Sequence, residues 1–299
     1  MVATASYEAR AYGVGSGMPL RTAARRMPDA VFLPVDKPAY DAASASVMAV
    51  LRTLPVAVEV LGWDEAFLGS DTDDPEGLAR AVQQAVLDAT GLHCSVGIGD
   101  NKLQAKIATG FGKPRGIGRL TSEEWVAVMG DRPTSALWGI GARTARRLEE
   151  LGIRTVAQLG AADTARLAEA LGPIMGPWFR RLGRGVDASP VDPTPWVPRA
   201  HGRETTFQAD LTDWDEVTAE ARRLAAQVVE DIRAEGRPAV RVGVKVRYRP
   251  FETRHRSLTL PQPSDDPEVI SRAAVDLVSR LDRSRAVRLL GVRAEMAEP

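Results

Sequence analysis

Apolar positions set the first frame. In the alanine-rich stretch 39–54, Val47, Val50, Leu51 and Leu54 recur at helical spacing and predict a helix. Residues 56–68 read as two strands around a tight turn at Gly62. A helix is predicted from Pro75 to Thr90, with Asp74 as its N-cap. Cys94 to Gly99 reads as a short apolar strand, and Asn101 to Thr109 as a short helix ended by Gly110 and Gly112. This β–α–β succession predicts a sheet with helices packed against it. From Thr121 to Gly185 the pattern changes to short helices between glycine turns.

Residues 186–198, VDASPVDPTPWVP, carry four prolines and little periodicity, which marks a semi-rigid linker. Beyond it a separate unit is predicted. Its elements are a strand at 203–208, a helix at 213–235, two strands across 239–260, a helix at 267–281 and a strand at 287–296. Two βαβ-like halves in so short a stretch indicate a small α+β domain. The whole chain reads as α+β multidomain. At its other end, Val2-Ala3-Thr4-Ala5 reads as the end of a strand with no turn before it.

The sharpest alternation is in residues 240–249, VRVGVKVRYR. Val240, Val242, Val244, Val246 and Tyr248 fall on one strand face, and Arg241, Lys245, Arg247 and Arg249 on the other. Formal net charge is zero over 299 residues, so no overall basic balance points to nucleic acid. Yet between Arg237 and Arg256 stand seven lysines and arginines and one acidic residue, Glu252. Neutrality of the whole thus hides a local basic face of the kind that tracks a phosphate backbone; the bland alternative is a solvated surface of mixed sign. Arginine counts alone say less, because lysine is scarce (five residues) and arginine and alanine abundant, a bias typical of a GC-rich genome. The single cysteine, Cys94, excludes an internal disulfide framework and suits a reducing cytoplasm. No apolar run has membrane-spanning length, and Met1 to Arg10 does not read as a signal peptide.

Four local patterns carry chemistry. Asp64 and Glu65 lie in VEVLGWDEAFLG, where apolar flanks predict two carboxylates at a sheet near a buried face. Paired anions there repel and lose hydration, and a divalent cation such as Mg²⁺ offsets both costs. An adjacent Asp-Glu pair on a surface helix would mean nothing. Lys113, in GFGKPRG, is placed to put a point charge on a polyphosphate. Lys102 and Lys106 share one helix face before it, and a solvated basic face is the alternative. Tyr7 and Arg10 are three apart at a helix start and could grip a phosphate chain together, whereas Tyr12 is expected in the core. In residues 137–153, LWGIGARTARRLEELGI, Gly139 and Gly141 flank Ile140 in a tight hairpin. A helix follows at once with Ala145, Leu148 and Leu151 on one face. This is the helix-hairpin-helix pattern, whose exposed amides bind a DNA phosphate without reading sequence. The histidines, His93, His201 and His255, are scattered and give no support to a metal-dependent nuclease.

In this order the segments SYEARAYGVGSGMP, WDEAFL, SVGIGDNKLQAKIATGFGKPRG, LWGIGARTARRLEELGIRT and VRYRPFETRHRSLTL resemble the Y-family DNA polymerases, most of all the DNA polymerase IV (DinB) branch. The resemblance implies a right hand: partial fingers at 1–37, palm at 38–119, helix-hairpin-helix thumb at 120–186, linker at 187–198 and little finger at 199–299. It implies low-fidelity, template-directed translesion synthesis in the cytoplasm by two-metal nucleotidyl transfer, with two Mg²⁺ ions in a complete enzyme. Asp64 and Glu65 would be the metal-site carboxylates, and Tyr7, Arg10 and Lys113 would contact the incoming triphosphate. Gly139, Gly141, Arg241, Lys245, Arg247 and Arg249 would hold DNA. Expected partners are primer-template DNA and deoxynucleoside triphosphates, with the chain a monomer and no membrane association. A sliding clamp is a further family partner, but no clamp-binding tail follows the last strand. Gly62 and Trp63 stand where the family has a serine and an aliphatic residue.

Family members begin with a palm strand that bears another metal-binding aspartate and a bulky residue that rejects ribonucleotides. This sequence starts after both. The 299-residue form is therefore expected to have little or no polymerase activity. The rival reading is a non-catalytic DNA-binding remnant that occupies primer ends. Either the gene is truncated or its start was assigned late, at a GTG valine codon translated as Met1. The second is preferred, and it predicts an upstream Asp-x-Asp-aromatic strand in frame.

Overall fold

The computed structural model describes residues 1–298 and divides into two compact units, Met1–Pro195 and Trp196–Pro299. In the first unit, short helices α1 (Tyr7–Ala11) and α2 (Leu20–Arg26) surround a small core of Val2, Val14 and Ala23. Val2 makes no strand. It exchanges one pair of backbone hydrogen bonds with the loop at Gly17 and Met18 (2.9 Å each), which is a single contact and not a ladder. Tyr12, expected in the core, is exposed at 63% as the C-cap of α1, a helix that buries none of its residues.

Helix α3 (Lys37–Leu51) and α4 (Pro75–Thr90) bracket an antiparallel hairpin, β1 (Ala57–Gly62) and β2 (Glu65–Gly69). The three elements share a core of Met48, Leu51, Val58, Val82 and Val86. Asp74 caps α4, its carboxylate accepting from the Gly77 amide at 2.7 Å. A second, parallel pair follows: β3 (Val96–Ile98) and β4 (Ile117–Arg119), joined by α5 (Lys102–Gly112). The one helix-backed sheet predicted from the sequence is thus two separate strand pairs. Helix α5 continues through Gly110 to Gly112, where a Cβ on Gly112 would lie 2.7 Å from the Gly118 amide nitrogen, although Gly110 itself meets nothing. A Cβ at Gly97 or Gly118 would overlap the helix carbonyls of Ala105 and Ala108, so α5 lies directly on β3 and β4.

The glycine-punctuated region folds as α6 (Trp125–Met129), a 3₁₀ turn (Thr134–Ala136), α7 (Ala142–Glu150), α8 (Val156–Ala161), α9 (Thr164–Leu171) and α10 (Met175–Gly183). Its core runs from Leu103 of α5 through Trp125, Met129, Leu148, Leu159 and Leu167 to Leu182. The proline-rich stretch after it is anchored at its start. The Asp192 amide donates to the Glu59 carboxylate (2.8 Å), and Val191 packs on Gly69 so closely that a Cβ there would sit 3.0 Å away.

The second unit is one four-stranded sheet with two helices. The elements are β5 (Ala200–Leu211), α11 (Trp214–Ala234), β6 (Ala239–Tyr248), β7 (Glu252–Ser264), α12 (Pro267–Ser279) and β8 (Val287–Met296). Strand order is β5-β8-β6-β7, with every neighbouring pair antiparallel. Each βαβ-like half predicted from the sequence is therefore split: β8 lies between β5 and β6, and β6 between β7 and β8. Both helices bury their apolar stripes on one sheet face, in a core that includes Leu224, Val228, Ile270, Leu277, Val244, Val246 and Leu290. Within this unit the opposite face is left uncovered.

Candidate nucleic-acid interface

The uncovered face takes its chemistry from β6. Val242, Val244, Val246 and Tyr248 are buried, while Arg241, Lys245 and Arg247 point away from the core. A bulge between Ala239 and Arg241 breaks the alternation at its start. Ala239 is therefore in the core and Val240 only half-buried, so Val240 does not belong to the buried row. Arg249 lies past the end of β6, in the turn to β7, rather than on the sheet face.

Register adds neighbours that alternation could not supply. Arg293 of β8 stands beside Gly243, and His255 of β7 beside Lys245, and both are exposed. Two acidic side chains reach the same face: Glu295 pairs with Arg241 (3.6 Å) and Glu204 with Lys245 (2.8 Å). Arg247 donates to Thr253 Oγ1 (2.9 Å). The face is basic, but two of its cations are partly neutralised within the unit.

In the first unit, the hairpin before α7 has the geometry its glycines predict. Gly139 has φ +95°, a conformation that only glycine adopts cheaply, and Ile140 is buried beneath it. Trp178 closes in so tightly that a Cβ on Gly139 would lie 2.8 Å from its ring. Gly141 caps α7 with no side-chain acceptor, so the first-turn amides have no partner from the cap. Leu148 is buried, and Ala145 and Leu151 pack against the same core. The element before the hairpin is a single 3₁₀ turn rather than a full helix.

Asp64 and Glu65 occupy the tip of the β1–β2 hairpin, where Gly62 pairs with Glu65 across a Trp63-Asp64 turn. Apolar flanks predicted two carboxylates at a sheet near a buried face; Asp64 is exposed at the hairpin tip and Glu65 is half-buried. Trp63 is exposed as well, with Lys37 above its ring at 5.1 Å. The basic face of α5 is occupied. Lys106 forms an ion pair with Glu65, and Lys102 with Glu59 at 2.5 Å. Arg10 stacks over the Tyr7 ring at 5.5 Å and donates to the Ala5 carbonyl at 2.9 Å. Lys113 is exposed at the C-terminal end of α5. Among the described residues, no hydrogen bond or ion pair joins Lys113 to Tyr7, Arg10, Asp64 or Glu65.

Comparison with known proteins adds a decisive observation. Residues 1–110 match the model of the impB/mucB/samB family, and residues 198–299 match that family's C-terminal domain. DNA polymerase IV 2 of Mycobacterium tuberculosis is 47% identical over 300 residues, covering 99% of this chain and 86% of the relative. The chain belongs to the Y-family DNA polymerases, in the DNA polymerase IV branch. DNA polymerase IV of Methanoculleus marisnigri is 39% identical, covering 100% of this chain and 83% of its own. Among solved structures, the Y-family DNA polymerase chimera Dbh-Dpo4(243-245)-Dbh matches with TM-score 0.86 at 27% identity, covering 98% of this chain and 86% of that one. The insertion ternary complex of Dbh DNA polymerase matches with TM-score 0.64 at 26% identity, covering 99% and 87%.

Y-family polymerases are metal-dependent. The donor chemistry of Asp64 and Glu65 suits a hard cation, and Mg²⁺ commonly binds through one or two carboxylates plus substrate phosphates. The two residues do not by themselves form a bridged two-ion site. Among the described residues, no cluster of three acidic, histidine or cysteine side chains could hold an ion, and Lys106 already engages Glu65.

Proposed function

We propose that this chain acts on primer-template DNA as a low-fidelity, template-directed polymerase that extends past damaged bases. The 47% identity to a DNA polymerase IV, spread over 99% of the chain, carries this reading. Residues 1–37 act as fingers, 38–119 as palm, 120–186 as thumb, 187–198 as connector and 199–299 as little finger. The protein works as a monomer in the cytoplasm, with a sliding clamp as a candidate partner. No described helix is long and apolar enough to cross a membrane.

Each part has a physical task. The amides at Gly141 and the first turn of α7 offer unpaired donors to a DNA phosphate. The sheet face bearing Arg241, Lys245, Arg247 and Arg293 supplies cations along a backbone, so binding is nearly independent of sequence and falls with salt. Arg10, held over Tyr7, and Lys113 orient the triphosphate of a deoxynucleotide. Asp64 and Glu65 would hold Mg²⁺, whose chemistry is to neutralise charge developing on phosphate oxygens. Glu65 must first exchange Lys106 for the ion, which leaves an ammonium group beside the phosphates. Primer extension on an undamaged and an abasic template tests the assignment. Adding the Asp-x-Asp-aromatic strand expected upstream should give primer extension, which Asp64→Asn and Glu65→Gln should each then remove while leaving DNA binding within about twofold.

One observation favours a second reading, a DNA-binding protein that occupies primer ends without extending them. The acidic pair lacks a nearby third ligand among the described residues. Tight primer-template binding with no extension by the 299-residue chain, at any Mg²⁺ or Mn²⁺ concentration, would select it.

A further inference from the structure

The second unit hides its large apolar side chains with one exception in its folded body. Trp196 and Val197 are exposed in its lead-in, but within the sheet and helices Phe251 stands alone at 68% exposure among the described residues. It sits in the β6–β7 turn at φ +136°, a backbone conformation costly for a bulky residue. The Phe251 amide donates to the Tyr248 carbonyl at 2.8 Å.

Phe251 forms one wall of a cleft of about 340 Å³, lined also by Gln208, Asp210, Arg249, Pro250 and Arg288. Arg288 places its guanidinium 5.1 Å from the centre of the phenyl ring and contacts Asp210 at 3.4 Å. The side chain of Arg249 makes no hydrogen bond or ion pair among the described residues. An exposed aromatic ring with Arg288 over one face, the unpaired cation of Arg249 and a carboxylate shared with Arg288 therefore meet in one hollow. The hollow lies where β6 ends, two residues past Arg247 and in continuation of the basic sheet face.

We propose that this cleft captures one unstacked nucleobase of single-stranded DNA. The base stacks on Phe251, its phosphate meets Arg249, and Asp210 or Gln208 accepts from a base N–H. This rests on the DNA-binding reading above and deepens it. An apolar peptide would bury Arg249 without a counter-charge, at a cost. A free phosphate would have no use for the ring. A base with its phosphate uses both, and it need not be a particular base, since every base has a π-face.

The test compares two DNAs on the full chain by fluorescence anisotropy: a blunt duplex, and the same duplex with a single-stranded thymidine overhang. Wild type should bind the overhang DNA more tightly. Phe251→Ala should erase that preference, weakening overhang binding about tenfold or more, the scale of one base–aromatic stack. Affinity for the blunt duplex should stay the same. Phe251→Leu, which keeps apolar bulk without a ring, should behave like Ala, and Phe251→Tyr should restore wild-type preference. Thermal melting of each variant checks folding, and the Tyr and Leu pair decides the question if Ala alone melts early. Equal loss on both DNAs, or no loss on either, overturns the cleft while leaving the basic face intact. Failure of wild type to bind the blunt duplex would remove the DNA reading and the cleft with it.

Discussion

In the second unit, Val242, Val244, Val246 and Tyr248 are buried along one strand, sealed between neighbours on both sides and helices beneath. At the outer end of β1 in the first unit, Val60, Leu61 and Trp63 are exposed, and the hairpin has one strand partner on each side of its turn. The sheet that carries the basic face is deep-cored, whereas the hairpin that presents the acidic pair rests on a small core of five buried side chains. A gripping surface must hold a fixed cation spacing against a regular polymer. On the function proposed above, the acidic hairpin would trade Lys106 for a metal and a nucleotide, and a shallow seat suits that exchange.

Substitutions that insert a charge into each sheet give the largest contrast. Val244→Asp places a carboxylate on a strand with 2% exposure, amid apolar neighbours. It should cost more than about 4 kcal/mol and unfold the second unit. Val60→Asp, at 40% exposure, should cost no more than about 1 kcal/mol. Urea unfolding of the two variants measures the difference. Similar losses would show that the hairpin is as well seated as the sheet.

The basic face comes next. Replacing Arg241, Lys245 and Arg247 with alanine should lower the log–log salt slope of DNA binding by up to about 0.9 per lost phosphate contact, alike for all sequences. The ion pairs to Glu295 and Glu204 mean that two of these cations are partly spent before DNA arrives. Glu204→Gln with Glu295→Gln should therefore tighten binding several-fold and steepen the slope. Unchanged affinity in both sets, with the protein folded, would reduce this face to an ordinary solvated surface and leave the α7 hairpin as the remaining phosphate contact.

These contrasts also explain what could be read in advance. Strict alternation over 240–249 announces β6, because period two against a buried face fixes which side chains point in. Only register could bring Arg293 and His255 to that face, or reveal Glu204 and Glu295 beside the cations, since they come from other strands, as far away as Glu295 is from Arg241 in sequence. Gly139 predicts the hairpin because its φ of +95° and the close approach of Trp178 demand glycine, whereas Gly141 has an ordinary extended backbone and open space around its Cα. The acidic pair misleads on burial. Apolar flanks such as Leu61 and Trp63 imply a buried strand, but a hairpin tip with no further strand beside it leaves them in solvent. Lys102 and Lys106 likewise look like a solvated face until β1 and β2 present Glu59 and Glu65 to them.

The smallest expected effect concerns acid. In the second unit Asp231 of α11 accepts two hydrogen bonds from Arg203 of β5, at 2.6 and 2.7 Å. That bidentate contact holds the Asp231 carboxyl below the ordinary aspartate range. An unfolded aspartate titrates near about 3.9, so above that pH both states are ionised and the stabilisation is fully present. As pH falls further, the unfolded chain takes up its proton first, and the stabilisation is lost down through the lower folded value. Arg203 is half in solvent, so the pair is worth about 0.5 kcal/mol, the scale of a surface ion pair. Asp231→Asn should lower the melting temperature of the second unit slightly at pH 7 and flatten its decline below about pH 4. Glu76 of the first unit, lowered chiefly by its hydrogen bond from Arg119, links α4 to β4 at a partly exposed surface, and Glu76→Gln should flatten that unit's acid limb less than Asp231→Asn flattens the second unit's. An Asp231→Asn protein whose acid limb overlays wild type would show that Arg203 restrains β5 against α11 without favouring the charged carboxylate in the folded state.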